Sequence, residues 1–120
     1  MANHVQFVSA NVGALSNGTC AIFKVPTGYG GVRIIGAQYV DSGAGTSWLS
    51  VGAGGTAGTA VVTTIAAGGT VVNSANVPNI LTLTAANCYV EEGHNVVVKE
   101  NNIGALGTRC LVEVSFLYGK

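Results

Sequence analysis

Few side chains in this sequence could do chemistry. The 120 residues include two histidines, one aspartate, four glutamates and three cysteines. Asp41 and Ser42, taken with either His4 or His94, supply the residue types of a catalytic triad. No G-x-S-x-G turn sets a serine nucleophile apart, however, and nothing in the sequence brings these residues together. We therefore predict no catalytic residues and a protein that is not an enzyme.

The densest group of metal-binding side chains is Glu91-Glu92-Gly93-His94. Carboxylates and imidazoles bind zinc or manganese, but this tetrapeptide interrupts two apolar runs, where a hairpin turn is expected. Adjacent carboxylates in an extended chain point to opposite faces, which also disfavours a glycosidase pair. We interpret the tetrapeptide as a charged turn between buried strands and predict no metal.

Cysteines and glycine-rich stretches give no firmer site. Cys20, Cys88 and Cys110 are odd in number and have no CxxC spacing, which predicts three buried thiols, with one disulfide or a reactive thiol as the alternative. The stretches 43–45 and 52–58 lack the Lys-Ser/Thr pair of a phosphate-binding loop, so we interpret them as hairpin tips. No cofactor is predicted.

Charge is scarce and balanced. Only 8% of residues are charged, the five basic and five acidic side chains cancel, and none lies between residues 42 and 90. A neutral chain has no long-range attraction for nucleic acid or for an anionic membrane, so neither is a predicted partner. The first seven residues, M-A-N-H-V-Q-F, lack the basic start and apolar segment of a secretory signal.

The clearest element lies near the C-terminus, at residues 108–118. Every second residue there is apolar, which places one apolar face on an extended chain: Cys110, Val112, Val114, Phe116 and Tyr118. The other face mixes polar and apolar residues: Arg109, Leu111, Glu113, Ser115 and Leu117. We predict a strand that is half buried, with residues 96–100 as its antiparallel partner.

Shorter strands account for the rest of the chain. We predict them at residues 5–9, 19–25, 32–40, 47–51, 59–65, 70–73 and 79–84. Gly36 interrupts the long third strand, where a bulge or bend is expected. No stretch has apolar residues at helical spacing. The sequence therefore predicts one all-β domain over residues 1–120, a two-sheet antiparallel β-sandwich, jelly-roll-like or else another Greek-key sandwich.

Three segments give the sequence a family likeness: the N-terminal M-A-N-H-V-Q-F, the hairpin-like V-E-E-G-H-N-V-V-V and the closing R-C-L-V-E-V-S-F-L-Y-G-K. With the Gly/Thr/Ala/Val-rich strands between them, the chain resembles the small all-β virion proteins of tailed bacteriophages, particularly capsid decoration or cement proteins. The resemblance implies a homotrimer on the capsid surface, bound to the major capsid protein and assembled in the host cytoplasm. It carries over no site residues.

That resemblance motivates a prediction about contacts. We expect residues 1–10 to form an N-terminal anchoring arm, and we predict a capsid or subunit interface comprising His4, Val5, Gln6, Phe7, Trp48, Leu117 and Tyr118. The alternative function is a carbohydrate-binding or receptor-binding module of a phage fibre or tail tip, with Trp48 and a glycine-rich loop as its site. Trp48, Tyr29 and Tyr39 supply the aromatic rings of a sugar-stacking surface. Core or interface packing is the interpretation that we favour for these aromatic residues.

Overall fold

The computed structural model describes residues 4–13, 15, 18–43, 49–56, 61–67, 75–84, 88–100 and 107–119. These residues form ten β-strands and no helix, so none of them contributes a helix able to cross a membrane. The strands are β1 (Gln6–Asn11), β2 (Thr19–Lys24), β3 (Val32–Asp41), β4 (Leu49–Gly54), β5 (Val61–Ala67), β6 (Pro78–Ile80), β7 (Thr82–Leu83), β8 (Tyr89–Val90), β9 (Asn95–Glu100) and β10 (Cys110–Tyr118).

The strands form two antiparallel sheets that pack face to face. The first sheet has the order β1-β10-β3-β6, with β8 also paired to β3, and the second has the order β2-β9-β4-β5-β7. The paired strands are nested in the sequence, so that each pair encloses the next one. The pairs, from the outermost inward, are β1 with β10, β2 with β9, β3 with β8 and β6, and β4 with β5. This nesting is the jelly-roll arrangement. The prediction of an all-β, jelly-roll-like sandwich is confirmed.

The core lies between the sheets and is mostly valine. β10 contributes Val112, Val114 and Phe116, and β9 contributes Val96 and Val98, all at most 3% exposed. These residues recur at every second position, which is the period that places side chains on one face of a strand, and Glu100 takes the next position on that face of β9. The inner face predicted for residues 108–118 is confirmed, with Tyr118 at its edge only partly buried.

β3 contains the predicted bulge. Ser115 pairs with Gly36 and Phe116 pairs with Ile34, so Ile35 has no partner on β10. An extra residue shifts the alternation of a strand by one. Even-numbered residues of β3 are therefore buried before the bulge, and odd-numbered residues are buried after it.

Two predictions about pairing and turns are wrong. β9 does not pair with β10; it lies between β2 and β4 in the second sheet, and the turn at 91–94 carries the chain from one sheet to the other. Part of the supposed hairpin tip at 52–58 belongs to β4, where Gly52 pairs with Val97 on one side and Thr64 on the other. Strands on both sides hold Gly52 and Ala53 extended.

The predicted strand at 79–84 is two strands. β6 pairs with β3 of the first sheet and β7 pairs with β5 of the second, so the chain changes sheets at Leu81, which is buried. The short β8 was not predicted. The predicted strand at 70–73, like the first residues of those at 47–51 and 59–65, lies outside the described residues.

Candidate functional site

The candidate site is the side of the first sheet that points away from the core, called here the outer face. Residues opposite each other in an antiparallel ladder lie on the same face, so the register assigns its members. They are Phe7, Ser9 and Asn11 of β1; Leu111, Glu113, Ser115 and Leu117 of β10; Arg33, Ile35, Gly36, Gln38 and Val40 of β3; and Pro78 and Ile80 of β6.

Large apolar side chains are exposed on the outer face. The exposed fractions are 63% for Phe7, 51% for Leu111, 79% for Ile80 and 37% for Ile35. Single exposed apolar residues are ordinary, but several on one sheet face are typical of a surface that binds another protein.

The outer face has little charge and a shallow centre. Its charged members are Glu113 and Arg33, and Gln38 Nε2 donates a hydrogen bond of 3.4 Å to Glu113 Oε1. Because Gly36 has no side chain, a hollow of about 210 Å³ opens between Gln38, Ile80 and Ser115. A nearly uncharged surface can be covered by a partner without a large desolvation cost.

The second sheet has no comparable free face at its centre. By register, Ser50 and Val97 point away from the core, yet they are only 4% and 0% exposed. Strands buried on both faces read as continuous apolar runs, as Val96-Val97-Val98 does. Among the described residues, the large apolar side chains that are exposed within a strand all belong to the first sheet.

The structure divides the seven predicted interface residues. Phe7 and Leu117 lie on the outer face, whereas Gln6 pairs with Phe116 and shares the inner side. His4 and Val5 are exposed and directly precede β1. Residues 6–10 of the predicted arm are built into the first sheet as part of β1. Trp48 lies outside the described residues.

Tyr118 belongs to a row of aromatic rings at one end of the sandwich. Its ring stacks on Tyr29 at 4.6 Å between centroids and meets Phe116 edge-on at 5.5 Å. Phe116 in turn lies 5.2 Å from Phe23 of the other sheet. Such ring pairs stabilise a fold beyond the area that they bury, so this row ties the two sheets together.

Tyr39 cannot take part in a sugar-stacking surface. It is 2% exposed within the core, and burial together with the neighbouring Cys110 and Asp41 raises its pKa to about 12. Tyr29 is exposed, but one side of its ring is covered by Tyr118. Of the proposed sugar-binding trio, Tyr39 is a core residue, as the packing interpretation predicted.

The turn at 91–94 binds a loop that is distant in sequence. One oxygen of Glu92, Oε2, accepts hydrogen bonds from the backbone N–H groups of Gly28, Tyr29 and Gly30, at 2.6, 2.9 and 2.9 Å. The φ angles of Gly28 and Gly30, +99° and +79°, turn these N–H groups toward one point. The bonds from Gly30 and Gly28, in that order, lower the pKa of Glu92.

This arrangement settles what the charged turn does. Glu92 is engaged with the backbone of the 28–30 loop, and Glu91 lies 3.6 Å from His94 Nε2. The interpretation as a turn is confirmed, although it links two sheets instead of closing a hairpin. The described residues contain no group of three side chains that could hold a metal ion.

The residue types of a triad are not brought together. Asp41 accepts hydrogen bonds on Oδ1 from the backbone N–H groups of Gly43 and Gly107, and Ser42 Oγ accepts one from the backbone N–H of Arg109. His94 follows β8, which pairs with the opposite end of β3. At about 3.3 Å per residue, the length of β3 puts roughly 30 Å between the two ends.

The cysteines are free thiols with different exposure. Cys110 is buried, and Cys20 and Cys88 are partly exposed. Burial, with a smaller contribution from Asp41, raises the pKa of Cys110 to about 12. The prediction of three buried thiols is right for Cys110 and wrong for Cys20, which lies on the edge strand β2, and for Cys88, which precedes β8.

No protein family matches the sequence, and no curated protein matches it. A chain of the cyanophage Pam1 capsid asymmetric unit is similar in structure, with a TM-score of 0.44 and 14% identity over 97% of this chain and 84% of that chain. At these values the similarity establishes neither a common fold nor a common function.

Proposed function

We propose that this protein is a structural protein of a bacteriophage virion, a decoration or cement protein that binds the capsid shell as an oligomer and stabilises it. The observation that supports this most is the outer face, where Phe7, Leu111 and Ile80 are exposed on one almost uncharged surface. A binding surface of this kind needs no catalytic group, and we propose no enzymatic activity.

The physical basis is mass action. A protein that binds the assembled shell but not its separated subunits stabilises the shell by an amount that grows with its free concentration. Contacts made by several copies on one shell add avidity without any new type of contact. The surface offered should then expose apolar side chains and carry little charge, as the outer face does.

The sequence resemblance supplies the partner and the place: the major capsid protein, at the surface of the virion, after assembly in the host cytoplasm. It also implies three copies in each oligomer, whereas the free edge of β1 favours two, and the mass of the protein in solution distinguishes these numbers. Because β1 begins at Gln6, an anchoring arm would consist of the residues before it, and residues 2–5 are the ones to remove in a test. Removing residues 2–5 should weaken attachment and leave the thermal unfolding midpoint unchanged; full attachment of this shortened chain would refute an anchoring role.

Co-sedimentation with undecorated shells of tailed phages tests the function. The wild-type chain should pellet with shells, and Leu111→Lys, which places a charge on the outer face beside Val40, should reduce binding by about tenfold or more. Thr64→Lys is the matched control, because Thr64 is exposed on β5 of the second sheet. Equal binding by both variants would contradict the assignment to the outer face.

The alternative is a sugar-binding or receptor-binding module of a fibre or tail tip. It rests on Trp48, since Tyr39 is buried. Glycan binding that Trp48→Ala removes, together with no binding to shells, would replace the decoration function by this one.

A further inference from the structure

β1 forms the free edge of the first sheet. It pairs with β10 along all six of its residues, and no described strand pairs with its other side. A free edge presents unpaired backbone N–H and C=O groups, which are a template for a strand from another chain.

The other edge strands of the described residues each carry a feature that discourages such pairing. β6 is three residues long and begins with Pro78; β7 and β8 have two residues each. β2 has a register shift between Ala21 and Phe23 and ends in Lys24. Short length, proline, bulges and lysine are the devices by which proteins protect sheet edges.

β1 has none of these features. Its sequence, Q-F-V-S-A-N, contains no charge and no proline, and its register against β10 is unbroken. It also bears Phe7, the most exposed of the protein's described aromatic residues. We infer that β1 is the strand through which two copies of this chain associate, by antiparallel pairing of β1 with β1 of a second copy about a two-fold axis at Ser9.

The hydrogen-bond pattern of β1 selects this axis. The N–H of Val12 donates to the carbonyl of Cys110, so even-numbered residues of β1 bond to β10 and the odd-numbered ones direct their backbone groups to the free edge. These are Phe7, Ser9 and Asn11. An axis at Ser9 pairs Ser9 with its counterpart and Phe7 with Asn11 of the other copy. Every outward backbone group of the three residues is then used.

The same axis keeps the two outer faces on one side. Residues paired in this way are both outward-facing, so the first sheets of the two copies join into one continuous sheet. Glu113, which pairs with Ser9 on β10, is the nearest charged side chain in line with the axis. The Glu113 residues of the two copies would be three strand spacings apart, about 14 Å, which is beyond the screening length at physiological salt. These two carboxylates therefore do not oppose the pairing. The contact is independent of what the outer face binds.

Light scattering across a concentration series gives the first test. The expected mass is twice the 12.0 kDa of one chain. A monomer at every concentration, or a stable trimer without dimer, would overturn the proposal. A trimer would instead agree with the phage resemblance, so this result bears on the contact and not on the binding of shells.

Substitutions at Ser9 give the sharper test. The Cα atoms of the two Ser9 residues would be about 5.5 Å apart. Ser9→Lys and Ser9→Asp should therefore each convert the dimer to a monomer, because like charges would face each other across the axis. Ser9→Ala should leave the protein a dimer. Mixing the Lys and Asp variants should restore the dimer, because opposite charges then face each other across the axis. Circular dichroism checks that each variant is folded. Dimers of either charged variant alone, or monomers in the mixture, would refute the axis at Ser9.

Discussion

Replacing Gly31 by alanine is the most direct test of how one end of the sandwich is built. Gly31 is buried and has a φ of +86°, which alanine adopts only at a cost of about 1–2 kcal/mol. A Cβ at this position would also lie 2.6 Å from Cε1 of Tyr89, well inside contact distance. The ring of Tyr89 would therefore have to move.

Moving that ring breaks a specific bond. The hydroxyl of Tyr89 donates to the carbonyl of Gly30 at 2.6 Å, next to the N–H that binds Glu92. Losing one such hydrogen bond costs about 1 kcal/mol. With backbone strain included, we expect Gly31→Ala to lower the free energy of unfolding by roughly 3 kcal/mol, or the unfolding midpoint by about 10 °C in a domain of this size.

Gly28→Ala is the matched control. Gly28 has a similar φ of +99°, but a Cβ there would meet no atom within 4 Å. It should cost about 1–2 kcal/mol, from backbone strain alone. Urea unfolding followed by circular dichroism measures both variants. Equal destabilisation by the two substitutions would mean that the ring of Tyr89 does not occupy the space beside Gly31, and the packing described for these two residues would be wrong.

Three further outcomes follow from the described contacts. Because hydrogen bonding lowers the pKa of Glu92 in the folded protein, its contribution to stability is full above its ordinary pKa of 4.5 and is lost as the pH falls through the lower folded value. Glu92→Gln should thus lower the free energy of unfolding at pH 7 and have less effect in acid, as measured by urea titration. An equal decrease for Glu91→Gln at pH 7 would contradict this prediction. Val98→Ala should cost about 2 kcal/mol, because it opens a cavity among fully buried residues, whereas Val5→Ala, at a side chain 48% exposed, should cost under about 0.5 kcal/mol in the same assay. A thiol reagent at pH 8 should label Cys20 and Cys88 in the folded protein but label Cys110 only after unfolding, since its pKa is raised to about 12; mass spectrometry of peptides would detect early labelling of Cys110, which would argue against its burial.

The features that were predicted correctly depend on local sequence. The apolar alternation from Cys110 to Phe116 defines a strand and its buried face, because successive side chains of any extended chain point to opposite sides. Gly36 marked the bulge for a similar reason, since a residue without a side chain suits the place where a strand bends. The fold class follows from many such strands and the absence of helical spacing.

Part of the candidate site was visible in the same way. Leu111 and Leu117 were assigned to the mixed face of the β10 pattern, and Phe7 and Leu117 were placed in the predicted interface. The exposure of Ile80 and Ile35 was not predicted, and no local signal carried it. Their positions depend on the pairing of β6 with β3 and on the phase shift at the bulge.

Pairing between distant strands was decided only by the tertiary structure. β9 and β10 are neighbours in sequence, and each has apolar residues on its inner face. They nevertheless lie in separate sheets, where β9 pairs with β2 and β4 and packs its apolar face against the opposite sheet. Glu92 binds N–H groups more than sixty residues away, a contact that residue types alone do not predict. Local alternation determines which side of a strand is apolar. Which strand lies beside it, and which face stays uncovered, depends on how the whole chain packs.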